Sequence, residues 1–301
     1  MSQPAPMRAS TRLRQLLRQP ELVVAPGCYD AITARMIERA GFPAVYMSGA
    51  AVSASLGYPD YGLVTMSEMV ERAGVIARSV SIPVVSDADT GYGNELNVTR
   101  TVREFEARGV AAIHIEDQVA PKRCGHLDGK EVVSREEFAS KIRAAVEARR
   151  SKEFIVIART DSRAMMSLDE AIARANAALE AGADIAFVEA TQSVEEAAAV
   201  PKRVRGPCLL NVVPGGRTPI TNLRDAEAMG YKLAILPGLM LQATITAGDA
   251  ALAQVKATGI VPASPVSVGE TFRRFGADEW DALRQRFNAG ARAVTPAKDR
   301  P

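Results

Sequence analysis

The sequence SDADTGYGN carries two acidic residues, Asp87 and Asp89, at the end of a short apolar run. If the run is a strand, residues two positions apart point to the same side of it, so the two carboxylates would face one site. Oxygen ligands suit hard divalent ions, and a chain with 2 histidines and no paired cysteines offers little to a softer metal. The pair therefore predicts a magnesium site.

Polar residues also end the next four apolar runs of the chain. In chain order they are His114, Glu116 and Asp117, then Arg159, Thr160 and Asp161, then Glu189, and finally Asn211. Any single one of these groups could cap a helix or pair with a neighbouring charge. Because several consecutive runs end in this way, the pattern favours one shared site.

The segment PKRCGHLDGK is too long and too charged for a plain turn. Three basic residues surround Cys124 in this segment: Lys122, Arg123 and His126. Positive neighbours favour the thiolate form of a cysteine and the delivery of its proton, and Gly125 gives the backbone freedom. An ordinary surface cysteine in a basic loop is the alternative interpretation.

Eight short apolar runs recur along the chain, and stretches with apolar residues at three- and four-residue steps lie between them. The runs are ELVVA, PAVYMS, PVVSDAD, AAIHIED, FIVIART, IAFVEA, PCLLNVV and KLAILPG. Continuous apolar strands joined by helices indicate a parallel sheet covered on both faces, and eight units predict closure into a (β/α)8 TIM-type barrel. An open doubly wound sheet is the alternative. In a barrel, chemistry takes place at the carboxyl ends of the strands, where the polar residues fall.

The length of 301 residues predicts a single domain over residues 1–301, with the barrel core at about 20–259 and a helical tail at 260–301. The tail contains the proline-rich VPASPVS and then a predicted helix around DEWDALRQRFNAGARAV.

Lys and Arg total 37 against 35 Asp and Glu, so the net charge of +2 gives no field that would gather nucleic acid. No stretch approaches a membrane span, and the basic N-terminus lacks the apolar core of a signal peptide. These features predict a cytoplasmic protein that acts on a small molecule. The cysteines are too few and too scattered for a disulfide framework or a zinc site; they are Cys28, Cys124 and Cys208.

Motifs along residues 26–259 closely resemble the isocitrate lyase and phosphoenolpyruvate mutase superfamily, in particular its branch of methylisocitrate and 2,3-dimethylmalate lyases. The motifs are PGCYDA, YMSGAAVSASLGYPD, SDADTGYGN, HIEDQVAPKRCGH, IARTD, VEA and NVVPGG, in the family's order. KRCGH after HIEDQ is highly specific, because it distinguishes the lyases from phosphonate-handling and decarboxylating relatives. The resemblance implies a TIM-type barrel with an exchanged C-terminal barrel helix, and a homotetramer.

The resemblance also implies roles for individual residues. Asp87 would be the direct ligand of Mg²⁺, for which Mn²⁺ can substitute. The residues that hold the ion or its waters would be Asp60, Asp89 and Glu116. The 2-oxo-acid end of a substrate would be received by Ser48, Gly49 and Ala50, the last of which is often glycine in the family. The other substrate-binding residues would be Cys124, Gly125, His126, Arg159, Glu189 and Asn211.

The implied activity is cleavage of the bond between carbons 2 and 3 of a 2-hydroxy dicarboxylate, which gives pyruvate or a related 2-oxo acid and a second carboxylic acid. Tyr46 would take the proton of the 2-hydroxyl, and Cys124 would protonate the carbanion left on carbon 3. Arg159 would clamp a carboxylate. The rest of the implied catalytic set is Glu116, Lys122 and His126. The KRCGH loop is expected to close over the substrate.

Departures from the family pattern favour a small alkylated substrate. Methylisocitrate lyases resemble one another in an Asn-x-Thr at the seventh strand end and an arginine after the eighth, where this chain has Asn211-Val212-Val213 and Gln242. Loss of a hydroxyl and a cation would leave a third carboxylate unpaired. A 3-alkylmalate such as 2,3-dimethylmalate would fit a pocket lined by Val212, Val213, Pro237 and Leu239. Arg217 could restore a positive charge from another direction.

Two other functions remain open. The first is methylisocitrate cleavage, or the hydrolysis of oxaloacetate to oxalate and acetate. The second, from a different class, is a phosphoenolpyruvate mutase-like isomerase or a non-catalytic binding protein on the same barrel. The intact KRCGH and the full set of acids argue against the second.

Overall fold

The computed structural model describes residues 7–125 and 129–288, in which eight strands form a closed parallel barrel in chain order. The strands are β1 Val23–Cys28, β2 Val45–Met47, β3 Val84–Asp87, β4 Ala112–Glu116, β5 Ile155–Thr160, β6 Ile185–Val188, β7 Cys208–Asn211 and β8 Leu233–Leu236. The predicted TIM-type fold is confirmed. The open doubly wound alternative is wrong, because β8 pairs with β1 and closes the sheet.

The described residues also form twelve α-helices. They are α1 Ala9–Leu17, α2 Ala31–Arg39, α3 Gly49–Ser55, α4 Met66–Ser79, α5 Glu95–Ala107, α6 Arg135–Ala148, α7 Leu168–Glu180, α8 Val194–Arg203, α9 Leu223–Met229, α10 Leu239–Thr258, α11 Val268–Arg273 and α12 Ala277–Asn288. Of these, α2 to α9 lie between successive strands of the barrel in the chain. Polar caps define where several of them begin. Ser134 Oγ accepts a hydrogen bond from the Glu137 N–H at 3.1 Å, which satisfies a backbone donor that the first turn of α6 leaves unpaired.

The buried apolar side chains separate into a core inside the barrel and two clusters outside it. Inside, Tyr46, Ile157 and Phe187 belong to one buried cluster. Outside, one cluster contains Phe105 and packs around α4 to α6, and another packs around α7 to α9. Because the strands are covered on both faces, their sequences read as continuous apolar runs.

The helix α1, which the sequence pattern did not predict, packs at the amino-terminal end of the barrel. Leu13 is fully buried within the interior cluster. Arg14 donates from Nη2 to Asp184 Oδ1 at 2.8 Å and from Nε to the Glu153 carbonyl at 2.9 Å, next to the starts of β5 and β6. These contacts make α1 part of the barrel core.

Contacts divide the chain into two compact units, residues 1–247 and 248–301, with the boundary inside α10. Through Asn288, the last described residue, α10, α11 and α12 contain no buried residue. The predicted tail helix is present as α12, and its last predicted residues lie outside the described ones. The exchange of the last barrel helix and the homotetramer stay predictions. No helix within residues 7–125 and 129–288 combines the length and the apolarity that crossing a membrane requires.

We expect Leu13→Ala to lower the free energy of unfolding by about 2–5 kcal/mol, because its loss leaves a cavity beneath the barrel. Urea unfolding followed by circular dichroism measures this change. Leu96→Ala is the matched control, since Leu96 is 78% exposed and its truncation should change stability by less than about 0.5 kcal/mol. Equal effects of the two variants would contradict the place of α1 in the core.

Candidate active site

A cavity of about 190 Å³ lies at the carboxyl ends of the strands. Most of the predicted site residues line it: Tyr46, Ser48, Ala50, Asp60, Asp87, Cys124, Gly125, Arg159, Glu189 and Asn211. Four others contact these lining residues: Gly49, Asp89, Glu116 and Lys122. His126 lies outside the described residues. Residues far apart in the sequence meet here because parallel strands end at the same edge of a barrel.

Arg159, on β5, lies among three carboxylates. Its Nε and Nη2 donate to Oδ2 and Oδ1 of Asp161 at 2.8 and 3.0 Å, which is a bidentate pair. Its Nη1 is 3.2 Å from Glu116 Oε2, and its Nη2 is 3.6 Å from Glu189 Oε2. The guanidinium carbon also lies 5.3 Å from the centre of the Phe187 ring. These contacts hold the guanidinium in one orientation on the cavity wall, where it can receive a carboxylate.

Tyr46, His114 and Asp87 form a buried group on β2, β4 and β3. The Tyr46 hydroxyl is 2.8 Å from His114 Nε2 and 3.5 Å from Asp87 Oδ2. Burial lowers the pKa of His114 to about 4, so its imidazole is neutral at pH 7. Burial opposes the ionisation of Asp87, but His114, Lys122 and Arg159 together lower its pKa to about 2. At pH 7 the lysine and the arginine are the cations that keep Asp87 ionised.

Asp89 lies beyond the end of β3, so the strand alternation that was expected to place it on the same side as Asp87 does not apply to it. The strand β3 ends at Asp87, and Asp89 takes up a left-handed backbone conformation with φ 45°. Asp87 lines the 190 Å³ cavity, whereas Asp89 lines a neighbouring cavity together with Tyr92 and Lys122. The alternation rule fails here because it holds only within an extended strand.

The Lys122 ammonium lies between two carboxylates, 2.5 Å from Asp60 Oδ1 and 2.8 Å from Asp89 Oδ1. Burial alone would lower the pKa of Lys122, but Asp89 and Asp60 raise it well above its usual value. Burial also raises the pKa of Asp89 to about 6. Lys122, the first residue of KRCGH, is therefore tied by charge to Asp60 and Asp89.

Four carboxylates form what we call the acid cluster: Asp60, Asp87, Asp89 and Glu116. This cluster fits a hydrated hard cation. Among the residues that the structure describes, no three histidine, cysteine or carboxylate side chains converge closely enough to hold a metal ion by themselves. Mg²⁺ usually keeps several waters, so one direct ligand with other carboxylates around its hydration shell suits it. Asp89 Oδ1 and Glu116 Oε2 each face a protein cation, Lys122 at 2.8 Å and Arg159 at 3.2 Å, whereas Glu116 Oε1 is buried without a hydrogen bond. A buried carboxylate oxygen of this kind needs a donor, which a water of a hydrated Mg²⁺ would supply.

The first residues of α3 line the cavity next to Asp87. Ser48 caps the helix and accepts a hydrogen bond from the Ala51 N–H at 3.3 Å. A Cβ on Gly49 would lie 2.4 Å from Asp87 Oδ2, so any larger residue there would displace the carboxylate. Ala50 lines the cavity, and its methyl narrows the site relative to glycine.

Cys124 and Gly125 line the same cavity from the KRCGH segment. A Cβ on Gly125 would lie 2.5 Å from Arg159 Nη2 and 2.7 Å from Glu189 Cγ. This glycine is needed for close approach rather than for a special backbone conformation, which corrects the reason that the sequence suggested. Cys124 therefore shares a cavity with the carboxylate clamp.

An apolar wall with one amide completes the cavity; it is formed by Val213, Pro237, Gly238, Leu241 and Gln242. Two predicted wall residues are not part of it. Val212 points outward from the end of β7 into the cluster beneath α7 to α9, and Leu239 is 48% exposed. Alternation along the chain explains the first error, because Val213 and not Val212 faces inward. Leu241, on the first turn of α10, takes the place predicted for Leu239.

The sequence pattern gave two residues of the site no role. His114 was one of several polar strand ends, and its contact with Tyr46 depends on how β4 and β2 sit around the barrel. Leu241 could have been found from its place beside Gln242 after the eighth strand. Arg217, considered as a substitute cation, is not among the described residues that line the cavity.

Several proteins are similar to this chain in sequence. Residues 13–256 match the phosphoenolpyruvate phosphomutase family. The chain is 50% identical to 2,3-dimethylmalate lyase of Eubacterium barkeri over 232 residues, which cover 77% of this chain and 80% of that protein. It is 45% identical to 2-methylisocitrate lyase of Aeropyrum pernix over 247 residues, which cover 82% of this chain and 80% of that protein.

Solved structures are similar over almost the whole chain. Oxaloacetate acetylhydrolase in complex with 3,3-difluorooxalacetate has a TM-score of 0.90 at 38% identity, covering 96% of this chain and 99% of that one. A 2,3-dimethylmalate lyase has a TM-score of 0.89 at 40% identity, covering 98% and 99%. Phosphonopyruvate hydrolase in complex with oxalate and Mg²⁺ has a TM-score of 0.85 at 33% identity, covering 93% and 99%. By sequence and by fold, this chain belongs to the phosphoenolpyruvate mutase/isocitrate lyase superfamily.

Proposed function

We propose that the chain is a Mg²⁺-dependent carbon–carbon lyase. Its substrate is a 2-hydroxy dicarboxylate of the 3-alkylmalate type, such as 2,3-dimethylmalate, and its products are pyruvate or a related 2-oxo acid and a second carboxylic acid. One observation carries the proposal: Cys124 lines the same small cavity as Asp87, Arg159 and an apolar wall. A proton donor, a cation ligand and a carboxylate clamp in one cavity are the groups that this cleavage requires. The names of the similar proteins support the same reaction class.

Tyr46 takes the proton of the substrate's 2-hydroxyl. Burial and the charge of Asp87 raise the pKa of Tyr46, so its phenol is protonated in the resting site. Tyr46 can therefore act as a base only if its own phenolic proton is transferred to another group. His114 Nε2, at 2.8 Å and on a neutral ring, is placed to accept that proton.

As the bond between carbons 2 and 3 breaks, its electron pair goes to carbon 3 and a carbonyl forms at carbon 2. The charge on carbon 3 spreads into the adjacent carboxylate, which the guanidinium of Arg159 can pair. Cys124 donates its proton to carbon 3 and is left as a thiolate. The proton taken from the hydroxyl restores the thiol before the next turnover, so the reaction consumes no other reagent.

The cation would be held by Asp87 directly and, through its waters, by Asp60, Asp89 and Glu116, with Mn²⁺ able to substitute for Mg²⁺. When bound, it polarises the 2-oxygen and the neighbouring carboxylate of the substrate. Lys122 keeps Asp60 and Asp89 in place between turnovers. The complex of the similar phosphonopyruvate hydrolase with oxalate and Mg²⁺ supports the choice of Mg²⁺ as the cation.

The cavity favours a small dicarboxylate. Its volume of about 190 Å³ is below the range of about 300–1,000 Å³ that is usual for drug-sized ligands. Val213 and Leu241 would contact an alkyl group on carbon 3. Gln242 can hydrogen-bond an oxygen but cannot neutralise a third carboxylate, which would then be buried without a counter-charge.

We expect Asp87→Ala to abolish cleavage and to weaken Mn²⁺ binding by at least about tenfold, because the variant loses the direct carboxylate ligand of a hard cation. Isothermal titration with Mn²⁺ and a lactate dehydrogenase-coupled assay of pyruvate measure the two effects. Circular dichroism checks the fold, and the exposed Asp225→Ala is the control. Full turnover of the wild-type protein in excess EDTA, after confirmed metal removal, would contradict a metal-dependent reaction.

The wild-type protein should prefer 2,3-dimethylmalate to methylisocitrate by at least about tenfold in kcat/KM, or about 1.4 kcal/mol of transition-state binding. The double variant Val213→Thr/Gln242→Arg should shift this ratio toward methylisocitrate, since it adds a hydroxyl and a cation to the cavity. Leu239→Ala, outside the cavity, is the control and should leave the ratio unchanged. Equal cleavage of both acids by the wild-type protein would show that another group pairs the third carboxylate.

Cys124→Ala and Cys124→Ser should lower kcat by at least about two orders of magnitude, because a positioned acid contributes about 10²–10⁴ in rate and a hydroxyl is a far weaker acid than a thiol. The dissociation constant of pyruvate with Mg²⁺ should change little, since Cys124 acts on the other half of the substrate. Steady-state kinetics and calorimetry separate the two quantities. A serine variant that keeps more than about a tenth of the wild-type kcat would exclude Cys124 as the essential acid.

A further inference from the structure

The segment that carries Cys124 is held on one side by Gln118, which is 1% exposed. The Gln118 side chain accepts a hydrogen bond from the Arg123 N–H and donates one to the Arg123 carbonyl, both at 2.9 Å. One amide thus satisfies both backbone groups of the residue directly before Cys124. The ends of the segment are also paired, because the Val119 N–H donates to the Glu131 carbonyl at 2.8 Å.

On the other side of Cys124 the segment is held by Lys130, which is 7% exposed. Its Nζ donates a hydrogen bond to the carbonyl of Gly125, the residue directly after Cys124. A buried ammonium needs a counter-charge, and the nearest one is Asp161 Oδ1 at 3.8 Å. The proposed chemistry gives this lysine no part.

Both anchors converge on Asp161, the carboxylate that binds Arg159 bidentately. Burial alone would raise the pKa of Asp161, but Arg159 lowers it, with further lowering by Lys130 and by a hydrogen bond from Gln118. Asp161 therefore connects the carboxylate clamp to both residues that flank Cys124.

We propose that Lys130 is a positioning residue that, together with Gln118, fixes Cys124 relative to Arg159. Arg159 sets where the substrate's carboxylate lies, and Lys130 sets where the thiol lies, with Asp161 as their common partner. This inference rests on the proposed function, in which Cys124 protonates carbon 3. Proton transfer depends steeply on distance and alignment, so a displaced thiol would act slowly even with the substrate fully bound.

The first test follows the position of Cys124 without any reaction. Lys130→Met keeps the length of the side chain and removes its ammonium. Alkylation of Cys124 by iodoacetamide, located by peptide mass, should become about tenfold faster or more, as expected when a hydrogen bond to a charged group is lost. Cys28 and Cys208 are 0% and 1% exposed, so their slow alkylation reports whether the whole fold has loosened. Lys141→Met removes another buried lysine, on α6, and should leave the Cys124 rate unchanged.

The second test is kinetic. Lys130→Met should lower kcat by about 30-fold or more while the pyruvate dissociation constant stays within about twofold, because the acid is misplaced and the ketoacid half still binds. In the Cys124→Ala background the same change should lower kcat by less than about twofold, since there is no thiol left to position. Gln118→Leu, which removes the anchor on the other side of Cys124, should lower kcat in the same way and should likewise have little effect in the Cys124→Ala background. If Lys130→Met does not fold, Gln118→Leu replaces it in both tests.

Unchanged alkylation of Cys124 in both Lys130→Met and Gln118→Leu would overturn the inference. An equal loss of kcat with and without the Cys124 thiol would also overturn it, because Lys130 would then act on some other group. If the wild-type protein cleaves none of the candidate acids, the proposed function fails instead, and the alkylation rates still decide whether Lys130 positions Cys124.

Discussion

The buried guanidinium of Arg159 imposes the main constraint on this site. A buried cation must be paired, and its carboxylate partners come from the ends of three adjacent strands: Glu116 from β4, Asp161 from β5 and Glu189 from β6. The order of the barrel strands brings these groups together, and their charges hold the arginine in one orientation. Other parts of the site are built on this arrangement. Asn211 donates to Glu189 at 3.0 Å, and Gly125 fits only because it has no side chain.

The second constraint is electrostatic. The acid cluster brings four carboxylates near one another: Asp60, Asp87, Asp89 and Glu116. The ammonium of Lys122 contacts two of them, Asp60 and Asp89. Burial raises the pKa of Asp89 and of Glu116, so both carboxylates are costly to keep ionised without a further cation. A hydrated divalent ion would relieve this cost. The proposed site and such an ion would therefore be complementary, since the ion would supply the charge that the proposed chemistry needs at the 2-oxygen.

Much of this could be predicted from the sequence because its signals are local. Continuous apolar runs separated by helical patterns predicted all eight strands, and the polar groups at their ends predicted the site. The predictions that failed concern positions where the tertiary structure overrides a local sequence rule. Asp89 leaves the strand that alternation assumed, and the turn after β8 decides that Leu241 rather than Leu239 reaches the cavity. The contacts of His114 with Tyr46 and of Lys130 with Gly125 join segments whose spacing in the sequence carries no sign of the pairing.

In the proposed reaction, a thiol held in one place delivers the proton to carbon 3. Cleavage of 2,3-dimethylmalate in D₂O tests it directly, because the propionate formed receives its new hydrogen at that carbon. We predict one deuteron per product molecule and a single configuration at the labelled carbon, as expected when one fixed group protonates one face of the carbanion. Propionate labelled equally in both configurations would mean that bulk solvent protonates a released carbanion, and would contradict the claim.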